Sequence, residues 1–234
     1  MGQGLFIKVA QVVSECFNIP IDYVHISGTN TDEVPNTSAT AASSGSDING
    51  MAAWKAATVI KQRMLKHASK VFQKPPSSIE FENGLILSGN KSMTFKELAF
   101  SCWENRISLS STGFYKTPKI SWDQEKFKGS PYFYFTWGAA VSEAIIDIDT
   151  GESRILRADI IQDCGSSLNP LIDRGQIEGG FIQGIGWLTC EELYFNSEGK
   201  LLTLGPSTYK IPGSRDVPPL SLIHISEPTR LITI

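Results

Sequence analysis

The stretch DCGSSLNPLIDRGQIEGGFIQGIGWLT, residues 163–189, decides the fold of the second half of the chain. Its first eight residues are typical of a loop, and the remainder predicts a helix from about Leu171 to Glu192. Directly before it, the β-rich segments YFYFTWGAAVSEAIIDI and SRILRADIIQD flank the turn residues 149–152. This arrangement predicts a β-hairpin that leads through a loop into a helix.

Two helices are predicted in the first third of the chain. Apolar residues recur at helical spacing over residues 4–17, and Pro20 ends that pattern. A longer helix begins near Asp47 and runs to about Phe72, before the Pro75-Pro76 pair. The residues 23–27 between these helices predict a short strand.

Short elements fill the middle and the end of the chain. IEFENGLILS predicts two strands around the turn residues Asn83-Gly84. Thr94 and Glu97 form a capping-box pattern that predicts a helix start. Strand patterns follow over 107–115, and a second hairpin is predicted over 194–204. Because helices and antiparallel hairpins alternate irregularly, the predicted fold class is α+β.

Composition excludes several classes of protein. The 234 residues are 41% hydrophobic, which provides enough apolar material for a core. A net charge of -3 and a pI of 5.7 argue against a nucleic-acid partner. No segment is long and apolar enough for a membrane span, and the first residues lack a signal-peptide pattern. The four cysteines lie far apart, which predicts reduced core thiols and a cytoplasmic location.

Common catalytic patterns are missing from the sequence. His67 stands among lysines in a predicted helix, which predicts a solvated side chain, and His25 is predicted to pack within a strand. The residues from Gly84 to Ser92 imitate a phosphate-binding loop, but Asn90 adds a residue before the lysine. No helix is predicted to start there, so we reject this interpretation.

Three segments rich in small residues and side-chain amides remain, namely residues 1–4, 40–46 and 175–186. Helix N-termini offer free N–H groups to an anion, small residues allow close approach, and glutamine both donates and accepts. Together they predict a site for a large, polar, phosphorylated heterocycle. The alternative is that Gly180 and Gly184 serve only helix packing and that the serine-rich segment is only a loop.

Several longer motifs resemble, in order, the molybdenum-binding region of the xanthine dehydrogenase/aldehyde oxidase family. They are MGQG, VPNTSATAASSGSD, LSSTGFYKTPKI, DCGSSLNPLID with GQIEGGFIQGIGWLT, and GPSTYKIP. The resemblance covers residues 1–219, and the wording of VPNTSATAASSGSD is more similar to the large subunit of bacterial xanthine dehydrogenases than to aldehyde oxidases. It implies the C-terminal molybdopterin-binding domain of a molybdenum hydroxylase, incomplete in this chain, with a small β-containing insert at about 75–105.

The resemblance also implies an activity and its partners. The family hydroxylates purines, such as hypoxanthine and xanthine, or aldehydes, with oxygen from water. Its molybdenum is held by molybdopterin without a protein ligand. Electrons leave through iron–sulfur clusters and FAD, which belong to domains or subunits outside this chain. The intact protein is expected to be an oligomer, and the start of the chain is typical of one that begins within a longer protein.

Site roles follow residue by residue from the motifs. The predicted cofactor-binding residues are Gly2, Gln3, Ala41, Ala42, Ser43, Ser44, Gln176 and Gln183. Ala41 and Ala42 are also expected to face the substrate, and Gln183 to support the wall that Gln176 forms. The family's catalytic glutamate lies in a Gly-Glu-Pro-Pro motif well downstream of Tyr-Lys-Ile-Pro. That motif does not follow Tyr209-Lys210-Ile211-Pro212 here, so no catalytic residue is assigned and the isolated chain is expected to be inactive.

The last residues have a different predicted origin. Residues 220–230, LSLIHISEPTR, match the translation of a transposase-type sequencing adapter. We therefore interpret 220–234 as a non-native tail, in which His224 and Glu227 carry no function. A natural, divergent C-terminus is the alternative. Three interpretations of function remain: part of a xanthine-oxidising hydroxylase, part of a hydroxylase for aldehydes or other N-heterocycles, and a non-catalytic binding module.

Overall fold

The computed structural model describes residues 2–30, 32, 40 and 44–225, with the side chains of 224 and 225 excepted. The chain divides into two compact units, residues 1–133 and 134–234. The first unit contains α1 (Leu5–Phe17), α2 (Gly45–Phe72), β1 (Glu80–Glu82), β2 (Leu85–Ser88), β3 (Lys91–Thr94), α3 (Phe95–Glu104), β4 (Ser121–Asp123) and β5 (Lys128–Ser130). The second contains β6 (Gly138–Ile146), β7 (Ser153–Asp163), α4 (Pro170–Thr189) and β8 (Leu220–Ile225). Helices and mainly antiparallel strands are mixed, as the α+β prediction requires.

Helices α1 and α2 pack side by side and run in the same direction. Leu5 at the start of α1 lies against Gly45 at the start of α2. Further along, Val12 lies beside Gly50, and Cys16 Sγ is 3.8 Å from Thr58 Oγ1. Because residue numbers rise together along both helices, their N-terminal ends lie together. We call this place, formed by residues 2–4 and 44–45, the shared helix end.

The three-stranded sheet of the first unit closes a core with α2 and α3. Strands β1, β2 and β3 pair antiparallel in that order, and Asn83 and Gly84 turn the first hairpin with φ of 48° and 80°. Positive φ at both positions is the reason why Asn-Gly favours this turn. The largest fully buried side chains in the described residues are those of Met64, Ile86, Leu98 and Cys102. The core therefore joins one long helix, the central strand and the short helix.

The capping box predicted at α3 is present. Thr94 Oγ1 accepts a hydrogen bond from the Glu97 backbone N–H at 3.1 Å. The Glu97 carboxylate accepts one from the Thr94 backbone N–H at 2.7 Å. These two bonds satisfy donors that a helix start leaves without an intrahelical partner. The bond from the Thr94 backbone is the main reason why the pKa of Glu97 is lowered.

Thr94→Ala is expected to lower the free energy of unfolding of the first unit by about 1 kcal/mol, because the N-cap acceptor is lost. The Glu97 half of the box contributes above the ordinary glutamate pKa of about 4.3 and is lost as the pH falls through the lowered value. Urea titrations at pH 7 and pH 3 measure both effects. Thr112→Ala, at an exposed threonine, is the matched control and should leave the unfolding midpoint unchanged.

Two predicted strands of the first unit are wrong. Residues 21–23 form a short 3-10 helix instead, and no strand follows over 24–27. Residues 107–115 are not paired in a sheet, but lie along α2. Arg63 Nη1 donates to the carbonyls of Ser108 and Ser110 at 3.2 and 2.9 Å. Lys55 Nζ donates to the carbonyl of Phe114 at 3.1 Å, so helix side chains take the place of a partner strand.

The predicted environments of two histidines are also wrong. His67 is only 7% exposed, and its Nε2 lies 2.9 Å from Ser101 Oγ of α3. Burial, and then the nearby Lys70 ammonium group, lower the pKa of His67, which favours the neutral ring. His25, predicted to be packed, is exposed. The lysines next to His67 in sequence lie on other faces of α2, while His67 itself points toward α3.

In the second unit the predicted hairpin is present and carries a third strand. β6 and β7 pair antiparallel with a bulge between Glu143 and Ala144, and β8 pairs parallel with β7. The first six residues of the predicted non-native tail thus form β8. The second predicted hairpin, over 194–204, is reduced to one bridge between Phe195 and Leu201. Among the described helices none is long and apolar enough to span a membrane.

Candidate functional site

The start of α1 lies at the shared helix end without a carboxylate of its own. Gly4 is the N-cap residue and adopts a left-handed conformation with φ of 73°. Glycine has no side chain that could cap the helix, and the first turn contains no acidic residue. The first N–H groups of a helix have no intrahelical partner, and the positive end of the helix dipole favours an anion. The exposed residues Gly2 and Gln3 come directly before this turn.

The start of α2 lies close to the start of α1, and a glycine at position 45 leaves room for this approach. Ser44 is the N-cap residue, and its carbonyl accepts the Ile48 N–H at 3.1 Å without a capping bond from its side chain. A Cβ on Gly45 would stand only 3.1 Å from side-chain carbons of both Leu5 and Thr40. The small residue therefore allows two helix starts to approach each other.

The predicted site residues of the first unit are only partly described. Gly2, Gln3 and Ser44 lie at the shared helix end. Their contacts with a cofactor remain a prediction. Ala41, Ala42 and Ser43 lie outside the described residues. The contacts of these three residues with cofactor and substrate remain predictions.

The third predicted segment forms most of α4. Gln176 and Gln183 are seven residues apart, about two helical turns, and both are exposed on one face of the helix. The start of α4 is fixed by Asn169 Oδ1, which accepts the Ile172 N–H at 3.2 Å. Ser167 Oγ also donates to the Asp173 carboxylate. The second unit thus presents two amide side chains in one direction from an anchored helix, and their meeting with the shared helix end remains a prediction.

Sequence reasoning missed a contact at the other end of α4. Tyr209, within the GPSTYKIP motif, donates a hydrogen bond from its hydroxyl to Glu191 Oε2 at 2.5 Å. This bond is the main reason why the pKa of Tyr209 is raised, and burial adds to the effect. The motif itself was the only signal of this contact in the sequence, because the two residues are 18 positions apart.

Metal-ligating side chains do not cluster in the part of the chain that the structure describes. There, no group of three or more His, Cys, Asp or Glu side chains could hold a metal ion. The prediction of four core thiols holds for Cys102, whose pKa is raised by burial. It is wrong for Cys190, which is exposed.

The comparison with protein families defines the class. Residues 1–218 match the family described as "Molybdopterin cofactor-binding domain". The chain belongs to this family of molybdopterin-binding domains, which confirms the prediction made from its motifs.

The chain is also similar in sequence to xanthine dehydrogenases. It is 44% identical over 218 residues to xanthine dehydrogenase/oxidase of Mus musculus, and 45% identical over 221 residues to xanthine dehydrogenase of Dictyostelium discoideum. Both alignments cover 93% of this chain and 15% of the relative. The chain therefore spans about 15% of the length of these curated relatives.

Solved structures show the same fold. Quinoline 2-oxidoreductase from Pseudomonas putida 86 matches with a TM-score of 0.76 and 24% identity, over 98% of this chain and 29% of that one. A Cu,Mo-CO dehydrogenase matches with a TM-score of 0.77 and 23% identity, over 97% and 28%. At these identities the likeness concerns the fold alone, and it confirms the predicted architecture.

Proposed function

We propose that this chain is the cofactor-holding part of a molybdenum hydroxylase that oxidises hypoxanthine and xanthine with oxygen from water. Its 44–45% identity to xanthine dehydrogenases over more than 200 residues supports the substrate class. The structural observation that carries the proposal is the parallel packing of α1 and α2, because it brings two glycine- and serine-rich helix starts to one place.

The residues at the shared helix end fit a phosphorylated pterin. Two helix starts without side-chain caps bring N–H donors and positive dipole ends to one place, and of the two only α2 carries an acidic residue, Asp47, in its first turn. Gly45 keeps the two starts close, and the exposed amide of Gln3 stands beside the first of them. Neutral amides suit a heterocycle that both donates and accepts hydrogen bonds.

The roles of the chain follow from this arrangement. Gly2, Gln3 and Ser44 would hold the cofactor from the first unit, and Gln176 would hold it from the second with support from Gln183. Ala41, Ala42 and Ser43 would line it, with the two alanines also facing the substrate. When bound, the molybdenum cofactor supplies the two-electron chemistry of hydroxylation. The chain binds and orients it, while the proton-accepting glutamate is expected in a Gly-Glu-Pro-Pro motif after Pro219.

The whole enzyme would require further partners. Iron–sulfur clusters and FAD, in other domains or subunits, would carry the electrons away from molybdenum. An oligomeric, cytoplasmic enzyme remains part of the proposal. The runner-up is a hydroxylase of aldehydes or other N-heterocycles.

Cofactor binding tests the proposal directly. The chain is purified from a host that makes molybdopterin and from a matched strain that does not, and bound pterin is measured after oxidation to its fluorescent form. We expect stoichiometric pterin only from the first host and less in the Gln3→Ala and Gln176→Ala variants. A chain that folds but retains no pterin would contradict the proposal.

Activity assays separate the substrate classes. The 234-residue chain alone should not turn over xanthine, because the base is absent. A protein in which the native sequence after Pro219 is restored, together with its partners, should prefer xanthine to aldehydes. Preference for an aldehyde or quinoline would favour the runner-up, and turnover by the chain alone would refute the assignment of the base.

We also propose that residues 220–234 are not native. The family match ends at residue 218, just before the adapter-like sequence begins. The parallel pairing of β8 with β7 is made by backbone groups, which any extended segment can supply. Sequencing the native transcript tests this: codons for LSLIHISEPTR after Pro219 would refute it.

A further inference from the structure

We infer that Tyr209 and Glu191 are positioning residues that set the direction of α4 and, through it, the place of Gln183 at the cofactor. This inference rests on the proposed function. It concerns a junction in the second unit where the end of α4, the Glu191 segment and the GPSTYKIP loop meet.

The carboxylate of Glu191 is fixed on both sides. One oxygen accepts the hydrogen bond from the Tyr209 hydroxyl at 2.5 Å. The other packs against the backbone of buried Gly186, at a place that a Cβ on that residue would overlap. The same Cβ would stand 2.8 Å from Pro212 Cδ. Glycine at position 186 therefore allows the carboxylate to enter the junction.

The backbone of Tyr209 belongs to a hydrogen-bonded turn. The carbonyl of Gly205 accepts the backbone N–H groups of Thr208 and Tyr209 at 2.9 and 2.7 Å. It also accepts the Thr208 hydroxyl at 3.2 Å. Three donors on one carbonyl close the turn, so the phenol reaches Glu191 from a defined position.

This junction is the main attachment of the C-terminal half of α4. Among the described residues, the helix buries only Ile185 and Gly186. The Glu191 backbone N–H donates to the carbonyl of Gly186 at 3.0 Å, which continues the attachment beyond the helix. Gln183 lies two residues before Ile185 and three before Gly186, and it is exposed. A shift of the helix end would therefore move its amide.

The bond between Tyr209 and Glu191 acts on the cofactor only through α4. Outer-shell partners that orient metal ligands typically change affinity by about 10-fold or more when they are mutated, and we expect the low end of that range here. Tyr209→Phe removes only the hydroxyl and is expected to speed the loss of bound pterin about 10-fold. Glu191→Gln keeps an acceptor oxygen and should lose less than Glu191→Ala. Tyr194→Phe, at a tyrosine that is 55% exposed, is the matched control.

The test compares pterin retention on gel filtration with thermal melting of the same variants. Retention is measured well below every melting temperature, where a purely structural role would leave it unchanged. Tyr209→Phe should add little to the loss already caused by Gln183→Ala, because both act on one contact. Additive losses, or retention equal to that of Tyr194→Phe, would overturn the inference. If the unmodified chain retains no pterin, the proposed function itself fails. If the unmodified chain retains pterin and Tyr209→Phe retains it equally well, only this inference fails. The two failures are therefore distinguishable.

Discussion

Gly113→Ala is expected to lower the free energy of unfolding of the first unit by about 3 kcal/mol, because the added carbon meets backbone atoms. A Cβ at this position would overlap the carbonyl oxygen of Ala52 and stand 2.9 Å from its carbon. It would also stand 3.0 Å from the backbone nitrogen of Ala56. The backbone of α2 and the extended segment around Gly113 cannot move apart without breaking the hydrogen bonds that Arg63 and Lys55 of α2 donate to that segment.

The expected result is a lower urea midpoint and the loss of hydrogen-exchange protection along α2. Gly2→Ala is the matched control for unfolding alone, because no atom lies within 4 Å of the position of its added carbon, whereas Gly2 itself is proposed to hold the cofactor. A midpoint equal to that of the control would show that the segment from Ser108 to Phe114 does not lie tightly on α2. Because α2 begins at the shared helix end, the variant should also weaken pterin binding.

Ile86→Ala is the second substitution with a large expected effect, about 3 to 4 kcal/mol of unfolding free energy. Ile86 is completely buried in the central strand of the first sheet, between Phe81 of β1 and Met93 of β3 in register. Truncation removes apolar contacts and leaves a cavity that the helices α2 and α3 cannot fill without moving.

Its neighbour provides the control. Leu85 belongs to the same strand but is 42% exposed, so Leu85→Ala should cost much less. Chemical denaturation of both variants gives the difference. Equal losses at the two positions would contradict the assigned register, because adjacent residues in a strand point to opposite faces.

Local sequence signals predicted the fold where a few neighbouring residues determine the structure. Asn83-Gly84 and the Thr94/Glu97 capping box succeeded because their hydrogen bonds close within four residues. The pattern of residues 107–115 predicted an extended conformation correctly, but not its partner. The partner is α2, and the donors on Arg63 and Lys55 are more than 40 positions away. His67 was misjudged for the same reason, since Ser101 is distant in sequence.

In the candidate site, too, local features were predicted from the sequence, while contacts between distant segments were not. Its glycines and amides were visible in the sequence, because helix starts and small residues have local signatures. The parallel direction of α1 and α2, and the bond between Tyr209 and Glu191, depend on packing between distant segments. The short strands β3, β4 and β5 were missed because three or four residues carry too weak a periodic pattern.

The parallel direction of α1 and α2 also sets a minimum for the connection between them. A 13-residue helix is about 20 Å long, so the chain must travel back over that length, which about six extended residues could span. The actual connection has 27 residues between Phe17 and Gly45. Most of its length is thus not required to join the two helices. Trimming the exposed residues 27–30 should leave their packing intact, so this is where the chain could vary in length during evolution without losing its first unit.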